Sequence, residues 1–398
     1  MKFLIKSYKN KMNKFVIILL IFSFISCEKL SFQSKLFSYL QESPSKNICI
    51  SPLSIYHILS LFSNGAIGET LSEIINTLIP DKENNSIEKS QSLLNINNIN
   101  ILNIYNSNNE KVKIANAILS KISMTKHFIE IGKKYNALID TLRDEKQVNS
   151  WCSEKTNGKI NKIIDKIDPL TVMILLNAVY FKGNWKYKFK KEKTTKRDFQ
   201  NGNGKISKVE TMYAELKDVN YYINNEVEIV ELPYEDPNLS MVIILPSKKY
   251  TSAYDYIKRN NDFTKIFKNL KTKKEMALYL PKFELEYEKS LKKALQKMNM
   301  RKVFGPSAEL MKLSESGQLY VDEVIHKTYI KVDEEGSEAA AITAIVTKFL
   351  CVNKPKITIM NVNRSFVYMI RDKRIKDTNG NEMMLFIGTV NDLSNEKK

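Results

Sequence analysis

The stretch Asp333–Ile345, DEEGSEAAAITAI, is the part of this 398-residue chain that decides its fold. It follows Thr328–Val332, TYIKV, whose residue types favour a β-strand. The stretch carries acids, one glycine and a run of mostly small side chains, and it leads to an apolar tip at Lys348–Leu350. Such a segment can pair as a strand, yet it offers almost nothing that could anchor it in a hydrophobic core.

The composition predicts a globular protein with a substantial core. Hydrophobic residues make up 43% of the chain, which excludes a disordered chain, and the length fits one large α+β domain or two ordinary ones. Lys and Arg number 62 against 44 Asp and Glu, and five of the lysines lie in the first 26 residues, so the remainder still carries +13. Lysine, asparagine and isoleucine are abundant throughout. We interpret the charge as a general compositional bias and expect no specific nucleic-acid partner.

The N-terminus has the pattern of an export signal. Five lysines precede Phe15–Ile25, an apolar run of 11 residues, which is too short for a bilayer span of ~20 residues. Residues 1–26 are therefore predicted to be an export signal. Cys27 follows a small residue, as in a bacterial lipoprotein cleavage box. Two interpretations stay open: free secretion, or a lipid anchor at Cys27 on a bacterial-type cell surface, which would be the only membrane attachment.

The cysteines predict neither a disulfide framework nor a metal site. Cys27, Cys49, Cys152 and Cys351 show no paired spacing and have no histidine partners at metal-ligand spacing. No glycine-rich phosphate-binding sequence occurs either, so we expect no metal and no cofactor. Cys351 lies beside the apolar tip and is the thiol that we expect to be reactive.

The periodicity predicts an α+β fold. Ser51 and Pro52 form a good helix start, and an uncharged strand covers Val172–Phe181. Asn177 interrupts that strand, and a buried amide costs roughly 1–3 kcal/mol unless it is hydrogen-bonded, so it needs a dedicated partner. The other predicted strands show no βα alternation, so the sheets should be mainly antiparallel. The asparagine-rich residues 81–110 are predicted to be an exposed connection with a weak helix.

The residue types of a serine hydrolase are present, but their sequence context does not favour one. Ser51 or Ser54, His326 and Asp333 supply the residue types, but there is no GxSxG elbow and Ser51 starts a helix in apolar surroundings. Buried hydroxyls and an imidazole that satisfy Asn177 explain the same residues, so we expect no enzyme. The lysine–aromatic run at residues 186–193 is typical of a solvated edge, with polyanion binding as the alternative.

Four segments together resemble the serpin family. They are Asn47–Ile55 (NICISPLSI), Leu176–Trp185 (LNAVYFKGNW), Leu280–Phe283 (LPKF) and Val324–Ala341 (VIHKTYIKVDEEGSEAAA), in the family's order. The resemblance implies a single domain over residues 28–398, with three mainly antiparallel β-sheets, about nine helices and an exposed reactive-centre loop at about residues 334–356. Ser365 departs from the pattern, because the family commonly has proline there.

The resemblance also implies a role for the opening stretch. A serine protease would cleave the loop, and the freed segment would insert as a new strand in the large sheet. Strand side chains alternate in direction, so Ser337, Ala339, Ala341 and Thr343 would enter between paired strands, where only small side chains pass. The hinge implied by the resemblance comprises Glu334, Glu335, Gly336, Ser337, Glu338, Ala339, Ala340, Ala341 and Thr343.

The resemblance also implies roles for further residues that match the family's pattern at the corresponding positions. Ser51, Ser54, Asn177 and His326 resemble the hydrogen-bonded shutter beneath the sheet. Trp185 and Lys282 resemble the breach where insertion begins, and Lys282 is expected to pair with Glu334. Counting from the hinge places the reactive bond at Leu350–Cys351, with Lys348 and Phe349 as alternatives. Leucine favours a chymotrypsin-like or elastase-like protease, and Lys348 would favour a trypsin-like one.

The function implied is that of a monomeric suicide inhibitor. Its partner would be a serine protease, with a cysteine protease as a second option, held as a covalent acyl-enzyme. One alternative is a non-inhibitory serpin that acts as a binding protein or chaperone, and a second is an adhesive surface lipoprotein that uses its basic surface. The small residues of the hinge favour the inhibitor, because bulky or charged ones are typical of the first alternative.

Overall fold

Eight α-helices and sixteen β-strands make up the part of the chain that the computed structural model describes, which is residues 30–80, 85–106, 112–263, 266–316, 319–337 and 357–394. The helices are α1 Phe32–Leu40, α2 Pro52–Ser63, α3 Gly68–Leu78, α4 Ile87–Asn106, α5 Lys126–Lys134, α6 Glu145–Lys155, α7 Ala253–Arg259 and α8 Lys292–Lys297. Residues 31–398 form one compact unit. Within the ranges given, no helix is long and apolar enough to cross a membrane.

The strands form three hydrogen-bonded sheets. They are β1 Ile48–Ile50, β2 Val112–Ser120, β3 Ala137–Thr141, β4 Met173–Phe181, β5 Gly183–Asn184, β6 Thr195–Gln200, β7 Ile206–Ile223, β8 Val227–Pro233, β9 Leu239–Pro246, β10 Lys271–Pro281, β11 Phe283–Ser290, β12 Glu323–Val332, β13 Gly336–Ser337, β14 Thr358–Asn361, β15 Phe366–Lys376 and β16 Glu382–Val390. Nine strands form the largest sheet, in the order β1-β16-β15-β9-β8-β7-β10-β14 with β6 on β7. Five form the second sheet, in the order β11-β12-β4-β2-β3, and β13 pairs with β5.

The predicted α+β fold with three mainly antiparallel sheets is confirmed. Parallel pairing among the described strands is confined to β10 with β14, β12 with β4, and β2 with β3. Strand β4 is buried along its whole length, which accounts for its uncharged sequence. One face of the five-stranded sheet packs on the main core, and the other packs on a smaller cluster under α6 that includes Trp151 and Cys152.

Helix α2 begins where the sequence predicts. The Ser51 side chain accepts a hydrogen bond from the Ser54 amide at 3.4 Å, and Pro52 occupies the first turn, where no amide donor is lost. The whole helix is buried, so it lies beneath the sheets as part of the core. This placement brings its N-terminus, and with it both serines, under the five-stranded sheet.

Helix α4 is longer than the sequence suggested. The weak helix expected within residues 81–110 is a 20-residue helix, Ile87–Asn106. Leu94, Ile101, Leu102 and Tyr105 recur at helical spacing and are buried in the main core. Tertiary packing therefore stabilises a segment whose many asparagines have low intrinsic helix propensity.

Ser365 makes contacts that proline could not make. Its amide donates to the Gln200 carbonyl at 3.0 Å, and its hydroxyl accepts from the Ala253 amide at 2.9 Å and lies 2.5 Å from Asn391 Oδ1. Proline has no amide hydrogen. The departure from the family pattern is thus accommodated by a local hydrogen-bond network at the start of β15.

Candidate functional site

The middle of the five-stranded sheet is a parallel pair between antiparallel neighbours. Strands β12 and β4 pair over seven residues, from Glu323 opposite Ile174 to Tyr329 opposite Tyr180. Their outer neighbours β11 and β2 are both antiparallel to them. A strand inserted antiparallel between β12 and β4 would replace one parallel ladder by two antiparallel ones, which are slightly more stable per residue.

The chain reverses direction directly after β12. The Asp333 amide donates to the Gly336 carbonyl at 2.9 Å, and the Glu335 amide donates to Asp333 Oδ1 at 3.0 Å. Strand β13 then contacts β12 and pairs antiparallel with β5, which follows β4. By Ser337 the chain therefore runs opposite to β12 and lies beside the extension of β4, in the direction that an inserted strand would take.

Two glycines make this pairing close. Gly336 lies opposite Asn184, and Ser337 lies opposite Gly183. A Cβ added to Gly336 would lie 2.0 Å from the Gly183 carbonyl oxygen, and one added to Gly183 would lie 2.7 Å from the Phe181 ring. Glycine at position 336 was expected to supply freedom to turn. The structure shows in addition that no larger residue fits there without displacing backbone.

Ser337 is fully buried and faces inward. Its hydroxyl shares a 2.8 Å hydrogen bond with the Tyr234 hydroxyl. The Tyr234 ring stacks on Trp185 with ring centroids 4.6 Å apart, and burial raises the pKa of Tyr234 far above its usual value. The predicted hinge residues Glu338, Ala339, Ala340, Ala341 and Thr343 lie outside the described residues. So do the candidates for the reactive bond, Lys348, Phe349, Leu350 and Cys351.

Glu334 is held by a cation and a hydroxyl. Lys282 lies 3.3 Å from the Glu334 carboxylate, so the expected ion pair is present, and Lys282 also pairs with Glu210 at 3.0 Å. The Thr194 hydroxyl donates to Glu334 at 2.7 Å. Burial alone would raise the pKa of Glu334, but these hydrogen bonds and the Lys282 charge outweigh it and lower the pKa. Glu334 is therefore a charged, well-paired group in a buried site.

The chain after β5 holds the rest of the hinge. The Trp185 amide donates to the Glu335 carbonyl and the Phe189 amide to the Glu334 carbonyl, both at 2.9 Å. The Trp185 indole donates to the Asp333 carbonyl at 2.9 Å. The first residues of the predicted loop, 334–337, are thus buried, because backbone pairing and ion pairs fix them against the sheet.

The four predicted shutter residues lie together in one hydrogen-bonded cluster. His326 Nδ1 lies 2.5 Å from Asn177 Oδ1, and the Ser51 amide donates to His326 Nε2 at 3.1 Å. Since Nε2 accepts, the ring proton is on Nδ1 and is donated to Asn177. The Asn177 amide group donates to the Ser54 hydroxyl and, at 2.5 Å, to Asn116 Oδ1. Asn177, which the sequence analysis predicted to need a dedicated partner, therefore has a hydrogen-bond partner for both its carbonyl oxygen and its NH2 group.

This geometry argues against a hydrolase. Both ring nitrogens of His326 are used within the cluster, and the ring is fully buried. Burial lowers the pKa of His326 to about 3, so the ring is neutral at ordinary pH. Asp333 lies at the hinge and accepts from the Glu335 amide. The cluster instead ties β2, β4 and β12 to the start of α2, across the pair that an inserted strand would separate.

Sequence reasoning missed five contributors. Asn116 lies opposite Asn177 on β2, and as a polar residue in the strand VKIANAILS it carried the same signal as Asn177. Tyr234 and Thr194 contact the hinge from distant parts of the chain, and nothing in their local sequence marks them. The basic partners of Glu335 were also missed: Lys188 lies 3.0 Å and Lys191 3.6 Å from its carboxylate.

Comparison with known proteins identifies the family. The family model for serpins, described as serine protease inhibitors, matches residues 28–393. Iripin-5 from Ixodes ricinus is 32% identical over 381 residues, covering 89% of this chain and 91% of that protein. Leukocyte elastase inhibitor from Xenopus tropicalis is 32% identical, covering 91% and 97%. The crystal structure of tengpin, a thermophilic serpin, in its native state superposes with a TM-score of 0.80 at 33% identity, covering 91% of this chain and 92% of that one. This chain belongs to the serpin family.

Proposed function

We propose that this serpin inhibits serine proteases by inserting its cleaved reactive loop into the five-stranded sheet. One observation carries the proposal: β13 begins an antiparallel strand beside the closed parallel pair of β12 and β4, with Ser337 already buried. Inhibitory relatives such as the leukocyte elastase inhibitor support the protease as partner. In this proposal the protein is an inhibitor and not a catalyst.

The proposed sequence of events starts at the reactive loop. The protease attacks at Leu350–Cys351, or at the neighbouring Lys348 or Phe349, and forms an acyl-enzyme. The freed chain continues from β13 between β4 and β12. About 15 residues at ~3.3 Å each would carry the protease on the order of 50 Å and distort its catalytic site before the ester hydrolyses. The Asn177–His326 contact must part as the strand passes.

Complex formation and heat stability test the proposal together. The protein is incubated with chymotrypsin or elastase and analysed on a denaturing gel, and the cleaved form is melted beside the intact one. We expect a covalent complex that resists SDS and a cleaved form that melts at a higher temperature. Cleavage that leaves the protease active, with no gain in melting temperature, would contradict insertion and would favour a non-inhibitory binding protein or chaperone.

The identity of the reactive bond needs a separate experiment. The cleaved protein is mapped by mass spectrometry after exposure to chymotrypsin, elastase and trypsin. A new C-terminus at Leu350 together with complex formation would support a chymotrypsin-like or elastase-like target. A complex formed only with trypsin and cut after Lys348 would reassign the target class.

We also propose that residues 1–26 direct export. The five lysines and the apolar run Phe15–Ile25 support this proposal, because they have the pattern of an export signal. Mass spectrometry of the mature N-terminus distinguishes the two forms: a diacylglyceryl group on Cys27 indicates a lipid anchor, and an unmodified new N-terminus indicates free secretion. A mature protein that retains Met1 would contradict export.

A further inference from the structure

One face of helix α4 exposes apolar side chains to solvent. Leu93 is 41% exposed, Ile96 is 59% exposed and Ile99 is 36% exposed. A spacing of three residues places neighbours on the same side of a helix, so the three side chains form one stripe, which we call the α4 stripe. The opposite side of α4 packs on the main core through other residues, so the stripe is not needed to hold the helix in place.

The α4 stripe lies in a stretch without charge. Residues 90–106 contain no Asp, Glu, Lys or Arg, although these residues make up 27% of the chain. The exposed positions between the apolar ones carry uncharged side chains, those of Ser92, Asn100 and Asn103. A surface helix of a globular protein typically carries charged and polar residues on the face opposite its apolar stripe. The outer face of α4 therefore suits surroundings that are less polar than water.

The start of α1 lies near this helix. The Asn97 side chain, four residues after Leu93, donates to the Lys376 carbonyl at 3.1 Å. The Gln33 side chain in the first turn of α1 donates to the Glu382 carbonyl at 2.8 Å. Lys376 and Glu382 are partners across β15 and β16. The first turn of α1 and the flank of the α4 stripe thus contact the same end of one hairpin.

This proximity connects the α4 stripe with the predicted lipid anchor. Cys27, the candidate for lipidation, lies outside the described residues, and residues 28–32 join it to Gln33. Six residue steps reach at most ~20 Å when the chain is fully extended. An acyl chain on Cys27 would therefore keep a bilayer within that distance of the hairpin end that α4 contacts.

Two occupants match an apolar, uncharged face: a second copy of the chain and a lipid bilayer. A helix of 20 residues is ~30 Å long and ~10 Å wide, so the face covers only ~300 Å², whereas a standard protein interface buries ~800 Å² per partner. A bilayer needs no matching surface, and its interface accepts helices with apolar side chains on one face. An anchor would in addition make this second contact intramolecular. These considerations favour the bilayer.

We propose that the α4 stripe docks on the surface of a lipid bilayer, with its side chains among the headgroups and upper acyl chains. The contact is apolar, so it requires no anionic lipid and persists at high salt. Attraction between this basic protein and anionic lipids would instead be screened by salt. Docking requires neither cleavage of the reactive loop nor an anchor at Cys27, so it can fail while inhibition or export holds.

The first experiment places a fluorescent reporter in the α4 stripe. Ile96→Trp is mixed with phosphatidylcholine vesicles that carry brominated acyl chains, at about 5 mM lipid and about 0.5 M NaCl. Trp151 and Trp185 are buried, so quenching by bromine reports on residue 96. Ile223→Trp is the control, because Ile223 is also 59% exposed and lies on β7. We expect a blue shift and quenching for Ile96→Trp alone. Absent quenching, or equal quenching in the two variants, would overturn the docking.

The second experiment measures binding to the same lipid by flotation. One variant replaces each residue of the α4 stripe with glutamine, which has good helix propensity, and circular dichroism checks that it folds. The control replaces three residues of the nine-stranded sheet that are 60%, 59% and 62% exposed: Ile206→Gln, Ile223→Gln and Ile359→Gln. We expect about tenfold weaker binding for the first variant and wild-type binding for the control. Equal losses, or no flotation of the wild type, would overturn the site.

Sedimentation of the wild type without lipid tests the rival occupant. A monomer supports the assignment to lipid. A dimer that Ile96→Gln dissociates would overturn it, because the α4 stripe would then be covered by a second copy. The reporter variant and Ile96→Gln each change a single exposed side chain, so these tests do not depend on the folding of the triple variant.

Discussion

Replacing Ser337 with arginine tests whether the hinge enters the sheet. Ser337 is fully buried, lies opposite Gly183 and bonds only the Tyr234 hydroxyl through its side chain in the described structure. An arginine there must either bury its guanidinium in this enclosed place or pull the chain out of its pairing with β5. Because burying an unpaired guanidinium is costly, the chain should leave its pairing with β5. Insertion must then return the arginine to this enclosed place, at a penalty that the serine does not carry.

The size of the penalty follows from burying an unpaired ion. After relaxation, that cost is still several kcal/mol, and about 4 kcal/mol is a reasonable figure. At tenfold per 1.4 kcal/mol, insertion slows by roughly a thousandfold. Deacylation of the acyl-enzyme then finishes first, so the loop behaves as a substrate. We expect Ser337→Arg to be cleaved and to release active protease.

The assay compares three proteins at equal concentration with chymotrypsin or elastase. Complex and cleaved inhibitor are separated on a denaturing gel, and residual protease activity is titrated. Ser337→Ala is the control: it leaves the Tyr234 hydroxyl unpaired at a cost of about 1–3 kcal/mol but fits the space, so it should still form complex. As much complex from Ser337→Arg as from the wild type would refute the reasoning, because residue 337 would then not enter the sheet.

Three further predictions concern the surroundings of the hinge and the core. Gly336→Ala should expel the hinge, because the new Cβ would lie 2.0 Å from the Gly183 carbonyl oxygen. In a Trp151→Phe background, which leaves Trp185 as the only tryptophan of the chain, the fluorescence emission of Trp185 should then shift to the red. An unchanged spectrum would count against the close contact. Asn177→Ala should lower the free energy of unfolding by about 3–5 kcal/mol in urea titrations, because it leaves buried polar groups of Ser54, Asn116 and His326 unpaired. Asn116→Ala should lower it by less, and equal losses in the two variants would argue against the cluster. His57 is buried and neither ring nitrogen has a well-formed hydrogen bond among the described residues, although the Asn98 amide lies nearby, and burial lowers its pKa to about 4. The unfolded chain, with an ordinary histidine pKa, therefore binds more protons between pH 6.5 and 4, so stability is full above pH 6.5 and falls as the pH drops through this window. His57→Leu should thus lose less stability than the wild type between pH 7 and pH 5. It should also be more stable at pH 7, because it removes two buried ring nitrogens that lack a well-formed hydrogen bond. A variant with the same acid sensitivity as the wild type would exclude this role for His57.

Patterns confined to one strand or helix predicted much of this protein. The uncharged run around Asn177 predicted a strand buried on both faces and a bonded amide, and both are present. These features follow from local periodicity and from the cost of burying a polar group, which the sequence shows directly.

Contacts between distant segments were not predictable in the same way. Tyr234 meets Ser337 across a sequence separation of 103 residues, and only the fold determines that they meet. Lysine is so common in this chain that no pattern marks Lys188 or Lys191 as partners of Glu335. The length of helix α4 was underestimated because its many asparagines have low helix propensity. Packing of its apolar face on α2 and α3 stabilises the full 20-residue helix.

In the proposed mechanism, two different sets of contacts control insertion at the two ends of the same path. At the start, the close contact of Gly336 with Gly183 and the ion pairs of Glu334 and Glu335 hold the hinge in place. Further along, the Asn177–His326 contact joins the two strands that must separate. Loosening the hinge contacts undoes the pairing from which insertion would start, whereas loosening the Asn177–His326 contact lets the sheet open without a strand to fill it. Variants of the hinge ion pairs should therefore alter the outcome of the protease reaction, while variants of the cluster should mainly lower the stability of the uncleaved protein.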